Sequence, residues 1–237
     1  MNYGLEVKAF KMIKKVVKQA RYFKFKDNYP RFTPGSLLTA ILCAFLLVIA
    51  TFSQLPFFQL VIPQEAFINV AEFFSKPHKF NEFVREFYYI PQIPAVIFIG
   101  ALLGPRMGLL AVAFYFFAGI LGFPVFALGG GVKYYAQLGF GYILGYFLGV
   151  ILSGNLLKRK VTNFTLVKAS TISVLAVHIV GIIYLTILML IQREQFVLII
   201  SWIWVLSGMQ IFYDLLMSFF AAALARPVRS ILWLAMD

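Results

Sequence analysis

One cysteine, two histidines and nine carboxylates in 237 residues leave little for covalent chemistry. The single cysteine, Cys43, excludes an internal disulfide and a cysteine-rich metal site. His78 and His178 stand far apart in the chain, with no acid or second ligand beside either. No glycine-rich loop closed by a lysine and a hydroxyl is present, so the chain does not hydrolyse ATP. An integral membrane enzyme acting on lipid would need acids, histidines or metal ligands clustered near one membrane face, and an isolated Asp214 and His178 do not supply that cluster.

What the chain has in excess is hydrocarbon. Hydrophobic residues make up 62% and charged residues only 13%, with a mean hydropathy of +0.87. These values exceed what the core of a soluble domain needs. The apolar runs are long and continuous, not alternating over segments of about ten residues, so they predict helices and not barrel strands. The expected fold is all-α and polytopic, with six spans near 37–57, 90–104, 107–127, 135–155, 166–191 and 197–225. The second is short and the last over-long; Gly208 is placed to divide the last into an irregular outer part and a helix proper.

Charge sets the orientation. With both termini on one side, that side carries 16 of the 21 basic residues, and the other holds Lys76, Lys79, Arg85, Lys133 and Arg193. The bias predicts cytoplasmic termini. The net charge of +12 then reflects topology and anionic lipid headgroups, with no case for nucleic acid. In residues 1–36, Leu5, Ala9, Met12, Ile13, Val16, Val17 and Ala20 recur at helical spacing opposite five lysines. That pattern predicts a basic amphipathic helix on the inner membrane surface, serving as an anchor or as a docking site, and no cleavable signal peptide. Between the first two spans, residues 58–89 form an outer insertion rich in phenylalanine and tyrosine, which either caps an external pocket or rests on headgroups as an interfacial helix.

Twelve of the 17 glycines lie between Gly100 and Gly149. Gly100, Gly104 and Gly108, and again Gly141, Gly145 and Gly149, repeat every four residues and predict close helix contact. Gly129, Gly130 and Gly131 follow the turn at Gly122-Phe123-Pro124 and read instead as a loop whose bare backbone lines a small-molecule site. Asp214 is expected in the outer half of the bilayer, where an acid marks a substrate pathway or a structural pair. Ionised, it accepts hydrogen bonds only and suits a ligand that offers N–H groups. His178 reads as an interhelical hydrogen-bonding residue, with ligand contact as the alternative.

These residues carry a resemblance. Gly104-Pro105-Arg106-Met107-Gly108, then Tyr115, then Gly122-Phe123-Pro124-Val125-Phe126-Ala127 with the glycine cluster, then Gly141-Tyr142 with Gly145, resemble the BioY-type biotin-binding S components of energy-coupling factor transporters. The match is strong over about 90–150 and weaker in the first span and near Asp214. It implies a subunit of the cell membrane, with no enzymatic activity and no cofactor, that captures biotin from outside. Its implied partners are one transmembrane coupling protein and two cytoplasmic ATPases. The chain then divides into a cytoplasmic segment 1–36, a six-helix substrate-binding domain 37–228 containing the insertion, and a cytoplasmic tail 229–237.

The resemblance implies a pocket built from Gln92, Phe123, Pro124, Phe126, Gly129, Gly130, Gly131, Tyr142 and Asp214, with Gln92 in the loop before the second span and Asp214 taking the ureido N–H groups. Ala40 and Ala44 match small residues that the family presents to the coupling protein. Two departures bear on the ligand. Met217 stands where the family has a lysine three residues after the acid, leaving Lys133 as a replacement cation. Gln137-Leu138-Gly139-Phe140 stands where it has Gly-Pro-Thr-Gly. An S component for another small molecule, and a transporter working alone as an oligomer, are the alternatives.

Overall fold

The computed structural model describes residues 32–60, 75–77, 79–80, 83–158 and 161–236. The amphipathic N-terminal segment and the middle of the outer insertion lie outside the described residues. The chain runs through α1 (Pro34–Phe52), β1 (Leu55–Leu60), β2 (Val84–Tyr89), α2 (Gln92–Ile120), a 3-10 turn (Val132–Ala136), α3 (Phe140–Leu156), α4 (Asn163–Ile191), α5 (Phe196–Ile203), a π-helical turn (Trp204–Gly208) and α6 (Gln210–Met236). Among the described residues, four helical stretches are long and apolar enough to cross a membrane: Pro34–Phe52, Gln92–Ile120, Asn163–Ile191 and Phe196–Leu232, with Phe140–Leu156 shorter.

The first helix carries mostly small and polar residues inward and large apolar ones outward. On α1 the buried face is Ser36, Thr39, Ala40, Cys43, Ala44, Leu47, Ala50 and Thr51, whereas Leu38, Leu42, Phe45, Ile49 and Phe52 face out. Lipid is as apolar as leucine, so no hydrophobic gradient drives helices together, and small residues that allow close contact fill the seams. Two of the starts are capped in the same way. Thr33 and Thr162 each accept from the backbone N–H three residues on, and Pro34 follows the first of them.

α2 is two helices meeting at Gly104, whose φ of 76° lies in the left-handed region that favours glycine, followed by Pro105. The chain reverses there. A Cβ added to Gly108 would lie 3.5 Å from the Gly100 Cα, whereas a straight helix would hold these residues about 12 Å apart. The stripe at Gly141, Gly145 and Gly149 serves as a seam, whereas Gly100, Gly104 and Gly108, expected on one helical face, are divided by the break at Gly104, which turns Gly108 back against Gly100. Gly100 leaves room for Ser153 and the Val150 carbonyl of α3, while Gly141, Gly145 and Gly149 face Tyr184 and Val177 of α4. α2 packs on α1, α3 and α6, and α4 packs on α3 and α6.

The all-α expectation needs one correction. β1 and β2 form an antiparallel pair, Leu55 opposite Tyr89 and Leu60 opposite Val84, where the insertion was expected to be helical or a cap. Leu55 and Phe57 are half-buried while Pro56 and Phe58 are exposed, and Phe87 and Tyr89 turn inward while Glu86 and Tyr88 face out. That alternation with period two is the strand signal, and aromatic content alone hides it. Tyr213 of α6 stacks near Phe57, Phe87 and Tyr89 and ties the hairpin to the bundle.

Candidate functional site

The first half of α2 is short, about 18 Å for residues 92–103, and above its start the bundle opens into a cavity of about 290 Å³. That size lies near the lower end of small-molecule sites. Its walls come from Gln92 and Ile93 at the start of α2, Ala127 and Leu128 of the following loop, and Tyr134 of the 3-10 turn. Gln137, Leu138 and Gly139 line it just before α3, Tyr142, Ile143 and Tyr146 line it along α3, and Trp202, Leu206 and Gln210 close it from the last membrane segment.

Two buried hydrogen-bond chains run back from this cavity. In the first, Tyr146 donates to the Gln92 carbonyl oxygen at 2.6 Å, and the Gln92 amide donates to Thr51 at 2.8 Å. Thr51 in turn donates to the Leu47 carbonyl at 2.8 Å and lies 3.0 Å from the Tyr115 hydroxyl. In the second, the Tyr142 hydroxyl meets Ser207 at 2.5 Å, Ser207 meets His178 Nδ1 at 2.9 Å, and His178 Nε2 meets Asp214 at 3.0 Å. The other Asp214 oxygen accepts from Tyr89 at 2.7 Å. Burial, and then the adjacent Asp214 charge, hold the Tyr89 hydroxyl well above the ordinary tyrosine range, so it remains a donor.

Each link has a local cause. Tyr142 and Tyr146 are one helical turn apart on α3, so both rings point to the same side. Gly181 of α4 makes room for the Tyr142 ring, which meets His178 edge to face at 5.6 Å. The π-helical turn at Trp204–Gly208 falls where Gly208 was expected to divide the last segment; its wider winding carries Ser207 inward, and it is a form concentrated at functional sites.

The sequence-derived candidates fall into three groups. Gln92 and Tyr142 line the cavity, although Gln92 opens α2 where a loop was expected. Asp214 is fully buried and stands behind the wall, with both oxygens occupied by Tyr89 and His178. The remaining loop candidates shape the loop without lining the cavity. Phe126 is buried between Tyr115 and Tyr134 at ring distances of 5.3 and 4.6 Å, seated against Gly119. Phe126 and Gly129 exchange two backbone hydrogen bonds, Gly131 donates to the Gly119 carbonyl, and a Cβ on Gly130 would strike the Phe123 carbonyl. Phe123 and Pro124 face outward, and Ala127 and Leu128 are the loop residues that reach the cavity.

Ala40 and Ala44 lie inside the fold, 0% and 8% exposed, so their small side chains admit neighbouring helices of this chain. Lys133 is exposed on the 3-10 turn; among the described residues the basic side chain within 4 Å of Asp214 is His178. No group of three potential metal ligands occurs among the described residues. Sequence reasoning missed Tyr146, Ser207, Thr51 and Tyr89. The available signal was Tyr146 repeating Tyr142 at four residues along the glycine-rich face of α3.

Replacing Gln92 by leucine should break the first chain at its centre, stranding the buried Tyr146 hydroxyl. Roughly 1–3 kcal/mol of stability is expected to be lost, measured as a lowered thermal midpoint in detergent, whereas an unchanged midpoint would show that Gln92 is not held as described.

The fold defines the class first. It is similar to the crystal structure of the S-component for biotin from an ECF-type ABC transporter, with a TM-score of 0.57 and 19% identity over 82% of this chain and 90% of that one. The sequence profile of the BioY family matches residues 88–233, more than half of the chain, and the chain belongs to that family. It is 34% identical over 96 residues to a protein of Lysinibacillus sphaericus named "Probable biotin transporter BioY". That match takes in 40% of this chain and spans about half the length of that relative, 49%.

Proposed function

We propose that the chain is the biotin-binding membrane subunit of an energy-coupling factor transporter and that the cavity beside Gln92 and Tyr142 receives biotin. The observation that carries this reading is that the BioY match runs from 88 to 233 and so takes in every cavity-lining residue. The name of the curated relative and that of the similar solved structure point to the same ligand. In this reading Gln92 and Tyr142 contact the vitamin, Asp214 acts from behind the wall, and the turn from Phe123 to Gly131 holds Ala127 and Leu128 in place. Binding is non-covalent, with apolar walls around a few polar groups.

The membrane arrangement we infer has six crossings, both halves of α2 counting separately, within a membrane domain over 37–228. The cavity lies at the end of the bundle marked by Gln92, which reaches Thr51, and by Gln210, whereas Leu157, Arg226 and Arg229 gather around a small crevice elsewhere on the bundle. The excess of positive charge in the segments assigned to the inner side favours an outward-facing cavity and cytoplasmic termini. The partners in this reading are one transmembrane coupling protein and two ATPases, as the family resemblance implies.

Purified protein in detergent is expected to bind radiolabelled biotin saturably, with displacement by unlabelled biotin and none by an unrelated vitamin. A folded preparation that binds no biotin would overturn the ligand assignment. Biotin uptake by cells should require the coupling module; equal uptake without it would assign transport to the chain alone.

A further inference from the structure

The first hydrogen-bond chain has a fixed direction, away from the cavity, and the direction of the second is set by where His178 carries its proton. Thr51 donates to the Leu47 carbonyl, which can only accept. Its oxygen therefore receives the Gln92 amide and the Tyr115 hydroxyl. With the amide nitrogen of Gln92 turned to Thr51, its carbonyl oxygen receives the Tyr146 proton. In the second chain, an ionised Asp214 accepts from Tyr89 and from His178 Nε2–H. With a single proton on His178, at Nε2 facing Asp214, Nδ1 accepts from Ser207 and the Ser207 oxygen accepts from Tyr142, which is the arrangement the proposal takes.

We propose that Tyr142 and Tyr146, each with its proton committed to the protein, present two acceptor-only oxygens to the cavity and together receive two N–H groups of the ligand. Ser207, His178 and Asp214 are positioning residues that hold this polarity for Tyr142, and Gln92 and Thr51 hold it for Tyr146. The chemical class selected is a cyclic urea or comparable bis-N–H donor. A carbonyl or ether oxygen in the same place faces lone pairs and is rejected. The proposal rests on the reading of the cavity as a biotin site and assigns the ureido ring to the two tyrosines, not to Asp214.

The test compares biotin with two biotin analogues, each a cyclic carbamate in which one ureido N–H is replaced by a ring oxygen of similar size. Wild-type protein should bind each carbamate at least about tenfold more weakly than biotin, for one lost hydrogen bond and one oxygen–oxygen contact. Tyr142→Phe should remove most of that preference for one regioisomer and Tyr146→Phe for the other. Ser207→Ala, which touches no ligand, should erase the same preference as Tyr142→Phe because it frees the tyrosine proton to turn to the cavity, and Ser207→Thr should restore it. A purely structural role for these residues would weaken all three ligands alike, and that result overturns the proposal, as does wild-type protein that binds the carbamates as well as biotin. Wild-type protein that binds none of the three would instead remove the biotin reading itself.

Discussion

Asp214→Asn is expected to weaken biotin binding roughly ten- to hundredfold while the bundle remains folded. The buried Tyr89 hydroxyl still needs an acceptor, so the asparagine keeps its oxygen toward Tyr89 and turns its amide nitrogen to His178. Nε2 must then accept, and the histidine proton moves to Nδ1. From there it donates to Ser207, the Ser207 proton turns to Tyr142, and the Tyr142 proton is left facing the cavity. A ligand N–H now meets an O–H, a loss of about 1–3 kcal/mol by the usual cost of an unmet buried polar group. Asp214→Ala acts differently. It leaves Tyr89 and His178 without their shared acceptor inside the fold, and stability itself is expected to fall by roughly 1–3 kcal/mol for each orphaned donor. Binding and thermal unfolding measured on both variants separate the two effects. Wild-type affinity in a folded Asp214→Asn protein would show that the carboxylate does not set the cavity's polarity.

The second large effect is expected at the seam between α3 and α4. A Cβ at Gly145 would lie 2.8 Å from the Val177 carbonyl oxygen and 2.9 Å from its Cα. Those atoms are backbone and cannot rotate away, so a side chain fits only if the helices part. Parting them also pulls Tyr142 from His178, one turn along the same interface. Gly145→Leu should therefore lose more than about 3 kcal/mol of stability together with ligand binding, and Gly145→Ala roughly 1–3 kcal/mol. Leu148→Ala, on the outward face of the same helix, should change stability by no more than about 0.5 kcal/mol. Thermal unfolding and monodispersity in detergent report all three. Unaltered behaviour of Gly145→Leu would mean that the two backbones are not in contact.

The departure at Gln137-Leu138-Gly139 takes on meaning once the cavity is known, since all three residues stand in its wall. The missing lysine at Met217 does as well. The acid that would have faced it is held by a histidine and a tyrosine, so the carboxylate is satisfied within the fold, and the cavity wall takes its polar groups from tyrosine hydroxyls and the amides of Gln92, Gln137 and Gln210.

The sequence by itself determined the membrane class, the approximate extent of the helices, the reversal at Gly104-Pro105 and the glycine seams. These are written in local signals: run length against bilayer thickness, which set one span ending at 104 and the next beginning at 107, and four-residue spacing. It also picked out Gln92 and Tyr142. Only the tertiary structure decided what Asp214 does, because its partners are 36 and 125 residues away, at His178 and Tyr89, and no local pattern marks such a pairing. The hairpin that delivers Tyr89 is likewise a pairing of two strands separated by the insertion. The loop glycines looked like pocket lining because bare backbone suits a ligand. Folded, they let the loop close on Phe126 and on the end of α2, since backbone at a helix terminus needs hydrogen-bond partners as much as a ligand does.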